Sequence, residues 1–374
     1  MKNKLIFAVF FILLIAPVAT FPFLKNFVDS KNYEKRKFAD APQLSLEALP
    51  NFPAQFEEYF NDHLPYKNQL VFLNNLKNDR LGAGTTVLEY MKLTSVIKGK
   101  EKWLFYNAFS EDEESLKDYM CSNLYDEQKL KEIAEGYTLL RQKLKEDYGI
   151  ELVVLYAANK EQIYPEYMPD AIIPSGTYSR TDQLVDYIRA NTDVPLLYTK
   201  EALLKEKKNH QLFYKYDTHW NNLGGFVGGQ LLNEYFHGEY VSLDEVTCSA
   251  VSSGQSGDLA DLLSMRNLYN DDIVWHIDDY KEDVEDTMTD GTDDFRFVSN
   301  AKDKRSLLVI MDSFGYGLMG IAKDYAKVTF MKNTDLFKEY CKELKPDAVV
   351  VEIVERRKEG QENWCRGLYD LLVK

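Results

Sequence analysis

Histidine, cysteine and positive charge are all in short supply in this chain of 374 residues. There are five histidines and four cysteines, and 60 acidic residues outnumber 45 basic ones, for a formal charge of −15. That balance excludes nucleic acid as a partner, because no basic stripe interrupts the acidity. An acidic lipid surface suits the bulk of the chain no better. Cys121, Cys248, Cys341 and Cys365 are irregularly spaced and match no zinc pattern. Outside the cytoplasm an even number permits disulfides, so three full pairings and four free thiols all stay open.

Charge is missing altogether from one stretch. After MKNK, the 19 residues Leu5–Phe23 carry none. At 1.5 Å per residue this is enough to span a bilayer, roughly 29 Å. The small-residue cleavage pattern is poor, with Pro17 two before Ala19. Residues 1–24 are therefore expected to be an uncleaved transmembrane anchor, with Lys2 and Lys4 inside and the rest outside. A cleaved signal peptide, giving a secreted protein, is the alternative.

What is abundant is aromatic: 25 Tyr, 21 Phe and 4 Trp. Such residues contact sugars, but they also fill ordinary cores. Residues 25–110 read as an extended lead-in followed by a helical segment from Pro53 to Arg80, broken at Pro65. Two short strands follow, around Gly99. Residues 111–374 read as one α/β domain. Charged helical spacing runs to Gly149, where a C-terminal glycine ends it. Apolar runs then alternate with helices: strands at 151–158, 194–199, 306–311, 327–332 and 347–354, and a helix from Asn221 to Tyr235. Thr181 is expected to cap the helix at 181–191. Residues 240–300 read as irregular and acidic. Within them DTMTDGTDD puts Met288 and Phe297 where a calcium loop needs ligands, so it reads as a solvated loop.

That alternation predicts a mainly parallel sheet covered on both faces, a three-layer sandwich with its ligands at the carboxyl ends of the strands. Several chemically distinctive groups fall at that edge. Asp312 and Ser313 end one strand and open a helix, where a serine sits at the positive end of the dipole. The plain alternative is a helix N-cap. Asp217 and His219 sit two apart in the loop YKYDTHW. Too few ligands accompany them for zinc, which leaves a capping role or the base and orienter of a triad. Together the three supply nucleophile, base and orienter for acyl transfer, in the chain order Asp, His, Ser.

These residues resemble a known family. DTHWNNLGG is very close to the Asp-x-His-Trp-Asn-x-x-Gly signature of the bacterial DHHW proteins, and it resembles the SGNH-hydrolase-like domain of the alginate O-acetylation proteins. DHLPYKNQL, GKEKWLFY, LYAANKEQIYPEYMP, MDSF and PDAVVVEIVERR resemble further segments in the same order. The departures are Lys67 for Arg, Lys102 for Gly and Ala158 for Pro. The resemblance implies an SGNH fold with circularly permuted strand order. It implies Ser313 as nucleophile, His219 as base and Asp217 as orienter.

For the oxyanion and substrate, the resemblance and the strand ends single out Gly315, Asn333, Asn159, Lys160, Arg356 and Trp220, besides the Ser313 N–H. Trp220 is either a sugar platform or a buried plug. No cofactor and no metal is expected. The expected partners are a cell-surface polysaccharide and a multi-pass membrane O-acyltransferase as acyl donor. The function implied is an extracytoplasmic serine O-acyltransferase or esterase. The alternative is a non-catalytic glycan-binding or scaffold component of the cell envelope.

Overall fold

A computed structural model describes residues 2–33, 37–43, 45, 49–81, 95–108, 113–252, 254, 256–278, 285–286 and 294–374. The acidic stretch at 287–293 and parts of the lead-in (34–36, 44 and 46–48) lie outside the described residues. The chain divides into two compact units, Met1–Thr86 with Ala260–Leu268, and Val87–Leu259 with Tyr269–Lys374.

The first unit holds helices Lys2–Leu24, Phe52–Asp62 and Lys67–Leu81. The last two are separated at Pro65, whose ring cannot continue a helix. Ile6, Phe7, Phe10, Phe11 and Ile12 of the first helix are exposed. Among the described residues no helix is long and apolar enough to cross a membrane.

The second unit opens with an antiparallel pair, β1 (Val96–Lys98) and β2 (Leu104–Tyr106), and is built on a seven-stranded sheet in the order β4-β3-β11-β9-β10-β8-β7. Its strands are β3 (Glu151–Ala157), β4 (Leu196–Tyr198), β7 (Glu285–Asp286), β8 (Phe295–Val298), β9 (Asp303–Ile310), β10 (Tyr325–Met331) and β11 (Ala348–Val354). The five strands from β4 to β10 run parallel, and β8 and β7 add antiparallel strands at one edge. Alternate side chains of β3 enter two cores. Val153, Leu155 and Ala157 pack with Leu223, Phe226 and Val227 of helix Asn222–His237. Leu152, Val154 and Tyr156 pack with helices Glu127–Tyr148, Arg180–Asn191 and Lys358–Val373 on the other face. β11 lies between β3 and β9 with every residue buried, which explains its continuous apolar run.

Three local expectations are corrected. Residues 240–300 are not simply irregular: β5 (Cys248–Ser252) pairs antiparallel with β6 (Ile273–Ile277), and β8 joins the main sheet. These strands are short and half-exposed, so they show neither clean alternation nor a long apolar run. The helix after Ser313 is only Gly315–Leu318, passing into a 3₁₀ segment Met319–Lys323. Gly315, Gly317 and Gly320 are poor material for a longer one. The cap of Arg180–Asn191 is Ser179, not Thr181, in a reciprocal capping box with Asp182. The four cysteines are free thiols, Cys341 and Cys365 buried.

The glycine-rich face of Asn222–His237 has a steric cause. A Cβ on Gly225 would lie 2.2 Å from the Gly317 carbonyl oxygen, and one on Gly317 would lie 2.3 Å from Trp220 Nε1. The helix therefore rests directly on the turn that follows Ser313. Gly225→Ala should cost roughly 1–3 kcal/mol of stability, despite alanine's helix propensity, because backbone must move. Gly367→Ala meets nothing within 4 Å, on the terminal helix. It should gain about 0.5–1 kcal/mol. Denaturant unfolding of the two variants checks both signs.

Candidate active site

Strands β3, β9 and β11 deliver their ends side by side, and the loop 212–221 closes over them. The loop is pinned at its neck by a bridge between Phe213 and Trp220. Asn221 finishes it by capping the helix, accepting from the N–H groups of Leu223 and Gly224 at 3.0 and 3.2 Å.

Within the loop, Asp217 Oδ1 lies 2.6 Å from His219 Nδ1 and accepts the His219 backbone N–H at 2.9 Å. His219 Nε2 lies 2.8 Å from Ser313 Oγ. With Nδ1–H donating to the carboxylate, Nε2 is the acceptor for the serine proton. All three side chains are half-buried. Burial alone would raise the Asp217 carboxyl. Hydrogen bonds from His219 and the Asp258 N–H, with the imidazole charge, outweigh it and hold the carboxyl well below the usual range.

Asp258 is a member of this site that motif reading passed over. Its N–H donates to Asp217 Oδ2 at 2.9 Å, and its carboxylate accepts the Thr218 N–H at 2.8 Å and hydroxyl at 2.7 Å. Gly257 permits this approach, since a Cβ there would lie 2.2 Å from the Tyr216 carbonyl oxygen. The sequence signal available was Ser-Gly-Asp before an apolar turn, which is common in loops. Asp217, His219 and Asp258 bring ligand atoms within 4.8 Å of one another. Both imidazole nitrogens are already committed, to Asp217 and to Ser313.

Ser313 stands in a turn held from below. Asp312, buried, accepts the N–H groups of Phe314 at 2.9 Å and Val354 at 2.8 Å. Its own N–H donates to Glu352 Oε2 at 3.1 Å. Burial, and then the Asp312 charge, push the Glu352 carboxyl well above its usual range. The Gly315 N–H turns back to the Asp312 carbonyl at 3.3 Å. The expected oxyanion donors thus reduce to one free backbone group, the Ser313 N–H.

The other expected site residues fall into place differently. Trp220 is a plug: 3% exposed, its indole N–H donates to the Phe314 carbonyl at 3.0 Å. Lys160 is fully buried and braces the loop, giving its three protons to the carbonyls of Leu104, Lys215 and Asp217 at 2.6, 2.9 and 3.0 Å. Burial lowers its pKa from 10.5 to about 8. Asn159 is buried, and its backbone N–H donates to Glu355 at 2.9 Å. Asn333 caps its own 3₁₀ turn through the Asp335 N–H. Arg356 comes to the site, its guanidinium 5.1 Å from the Phe314 ring, which also lies 5.1 Å from the His219 ring. A larger cavity of about 730 Å³ lies at the opposite edge, by the first residue of β9. Its Asp303 pairs with both His237 and Arg305, and none of Asp217, His219 and Ser313 lines it.

The sequence model of the family described as "SGNH hydrolase-like domain, acetyltransferase AlgX" matches residues 96–285, just over half of the chain. The chain is also similar to a DHHW family protein from Eubacterium siraeum, at 12% identity over 66% of this chain and 90% of that one, with a TM-score of 0.49. It is similar to the O-acetyltransferase domain of Pseudomonas putida AlgJ at 18% identity, over 74% and 99% of the two chains, TM-score 0.47. Bacillus cereus PatB1 is similar at 16% identity, over 69% and 94%, TM-score 0.47. A search of curated proteins finds no match.

Beneath the site, burial and then the Asp118 charge raise the Glu355 carboxyl from 4.5 to about 7. Between those values the folded state keeps a proton that the unfolded state has lost, so this group's contribution falls as pH rises. Glu355→Gln removes that dependence. Relative to wild type, the variant should gain up to roughly 3 kcal/mol on going from pH 4.5 to above pH 7, read by denaturant unfolding across a pH series.

Proposed function

The chain belongs to the family of SGNH hydrolase-like domains described by acetyltransferase AlgX, and on that premise we propose that it is a serine O-acyltransferase working through Ser313, His219 and Asp217. The observation that carries the reading is the hydrogen-bonded chain from Asp217 through His219 to Ser313, at 2.6 and 2.8 Å, joining groups 94 residues apart. A binding or scaffold module has no need of that alignment. The order of the segments, with the Asp–His loop before the serine strand, is the one a circularly permuted SGNH sheet would have.

In the first half-reaction His219 Nε2 takes the Ser313 hydroxyl proton as Oγ attacks the carbonyl of an acyl ester. Negative charge on the carbonyl oxygen is met by the Ser313 N–H. Collapse breaks the bond to the donor alcohol, which leaves with the proton from His219, and an acyl-serine remains. In the second half-reaction His219 deprotonates an acceptor hydroxyl, which attacks the acyl carbonyl and restores Ser313. Asp217, ionised throughout, keeps the imidazole in the tautomer that both halves require. Water as acceptor gives hydrolysis by the same steps.

The acceptor we propose is a hydroxyl of a cell-surface polysaccharide, with acetyl as the acyl group and a multi-pass membrane O-acyltransferase as the donor. The uncharged run Leu5–Phe23 behind Lys2 and Lys4 supports an anchored chain with the second unit outside the cytoplasm. The family's description as an acetyltransferase supports the reaction class.

Turnover of a chromogenic acetyl ester, with and without added glycan, tests the reading. Ser313→Ala and His219→Ala should each lower the rate by at least about 10⁴-fold, and Asp217→Asn by about 10³–10⁴-fold. Activity persisting in both of the first two variants would sink it. Mass spectrometry of surface glycans from cells carrying Ser313→Ala should show the loss of one class of acetyl ester.

A further inference from the structure

The proposed reaction leaves the oxyanion short of donors. An acyl-transfer site in which Ser313 supplies a single free N–H must find more, because the charge developing on the carbonyl oxygen is large and the site is half-buried. The next two N–H groups along the turn are both spent, Phe314 on the Asp312 carboxylate and Gly315 on the Asp312 carbonyl.

Next to that turn lies a donor with the opposite problem. Arg356 is 6% exposed, and its buried Nε has no hydrogen-bond partner among the described residues. The carboxylates within electrostatic reach are Glu113, whose Oε1 is 3.9 Å from Nε, and the buried Glu161. At that distance Glu113 balances the charge without accepting a hydrogen bond from Nε. The guanidinium stacks against two rings, 5.1 Å from Phe314 and 5.5 Å from Tyr106. Leaving a buried guanidinium N–H with no acceptor is costly, and a structure that tolerates it has an acceptor to come.

The backbone explains why it is there. β11 pairs in parallel with β9, and the Val354 N–H at its end is tied to the Asp312 carboxylate. Two residues further on, Arg356 is delivered to the flank of the Ser313 turn, while the Arg356 carbonyl is fixed by the Glu114 N–H at 3.2 Å.

Resting on the acyl-transfer reading of the same site, we infer that Arg356 is the second oxyanion donor, completing with the Ser313 N–H a pocket that the backbone of the turn cannot form alone. The guanidinium donates to the carbonyl oxygen as Oγ adds to the carbon, and releases it when the leaving group departs.

A fluorophosphonate probe separates this inference from the reading beneath it. Its phosphoryl oxygen occupies the oxyanion pocket as Ser313 Oγ bonds to phosphorus and fluoride leaves. The full-length wild type should be labelled at Ser313. Arg356→Gln should be labelled roughly 10²–10³-fold more slowly, with the same fall in kcat on an acetyl ester, KM within about threefold and an unchanged unfolding midpoint. Arg356→Lys keeps charge and stem and decides the matter if the glutamine variant unfolds. A slowed rate at an unchanged midpoint supports the role. Equal labelling of wild type and a folded Arg356 variant overturns this inference alone, and so does a loss confined to KM. Absence of labelling in the wild type overturns the nucleophile reading and this inference with it.

Discussion

The site depends on one close approach of backbone to backbone, that of helix Asn222–His237 on the turn Gly315–Leu318. His219 and Ser313 come from segments 94 residues apart, and neither is a neighbour of the other in the sheet. Gly225 and Gly317 meet without side chains between them, and Trp220 drives its indole N–H into the Phe314 carbonyl beside them. The loop carrying His219 is therefore fixed to the turn carrying Ser313 by the residues immediately following each. Dispersion and one buried hydrogen bond set the distance, and the imidazole–hydroxyl contact inherits it.

Beneath this contact the structure places more ionisable groups than a core usually holds. Lys160 is buried among three carbonyls, Arg180 pairs with Asp118 at 2.8 Å with neither side chain exposed, and Glu352 and Glu355 sit at the end of β11. Three of them hold segments that cross the carboxyl edge of the sheet: Lys160 the DTHW loop, Glu355 the start of the loop after β3, and Glu352, together with Asp312, the serine turn. Apolar side chains cannot satisfy loop N–H and C=O groups buried at a sheet edge, whereas charged ones do so with short bonds. The cost is desolvation, and it appears as the raised carboxyls of Glu352 and Glu355 and the lowered Lys160.

Much of this was legible in the residues, and what was not has a common cause. The buried strands β3, β9 and β11 announce themselves as continuous apolar runs, and Asp217, His219 and Ser313 stand out as chemically unusual residues at predicted strand ends. Trp220, left open between platform and plug, needed the structure, because a tryptophan after a histidine reads the same either way. Gly315 and Asn333 were plausible donors by position, yet the Gly315 N–H is spent on a turn bond, and Asn333 is an exposed residue whose Oδ1 accepts the Asp335 N–H of its own turn. Lys160 was read toward substrate, but its ammonium faces inward, over the rings of Trp103 and Phe105 and among three loop carbonyls. Asp258 escaped altogether. Hydrogen bonding over a separation of 41 residues leaves no periodicity, and only the fold brings its N–H to Asp217.

Chain order turns out to matter little for a site of this kind. A parallel sheet gathers the carboxyl ends of its strands whatever the sequence in which they were made, so the base can precede the nucleophile as easily as follow it. What order does change is which strand end lies beside the nucleophile with a side chain to spare. Here that strand is β11, buried on both sides, and its last turn must leave the sheet at once because β3 and β9 flank it. Just past β11, Glu355 accepts the Asn159 N–H within the buried network and Arg356 lies against Phe314, two consecutive side chains of one turn sent to different neighbours. The dipeptide that follows β11 thus serves the fold with one residue and flanks the Ser313 turn with the other.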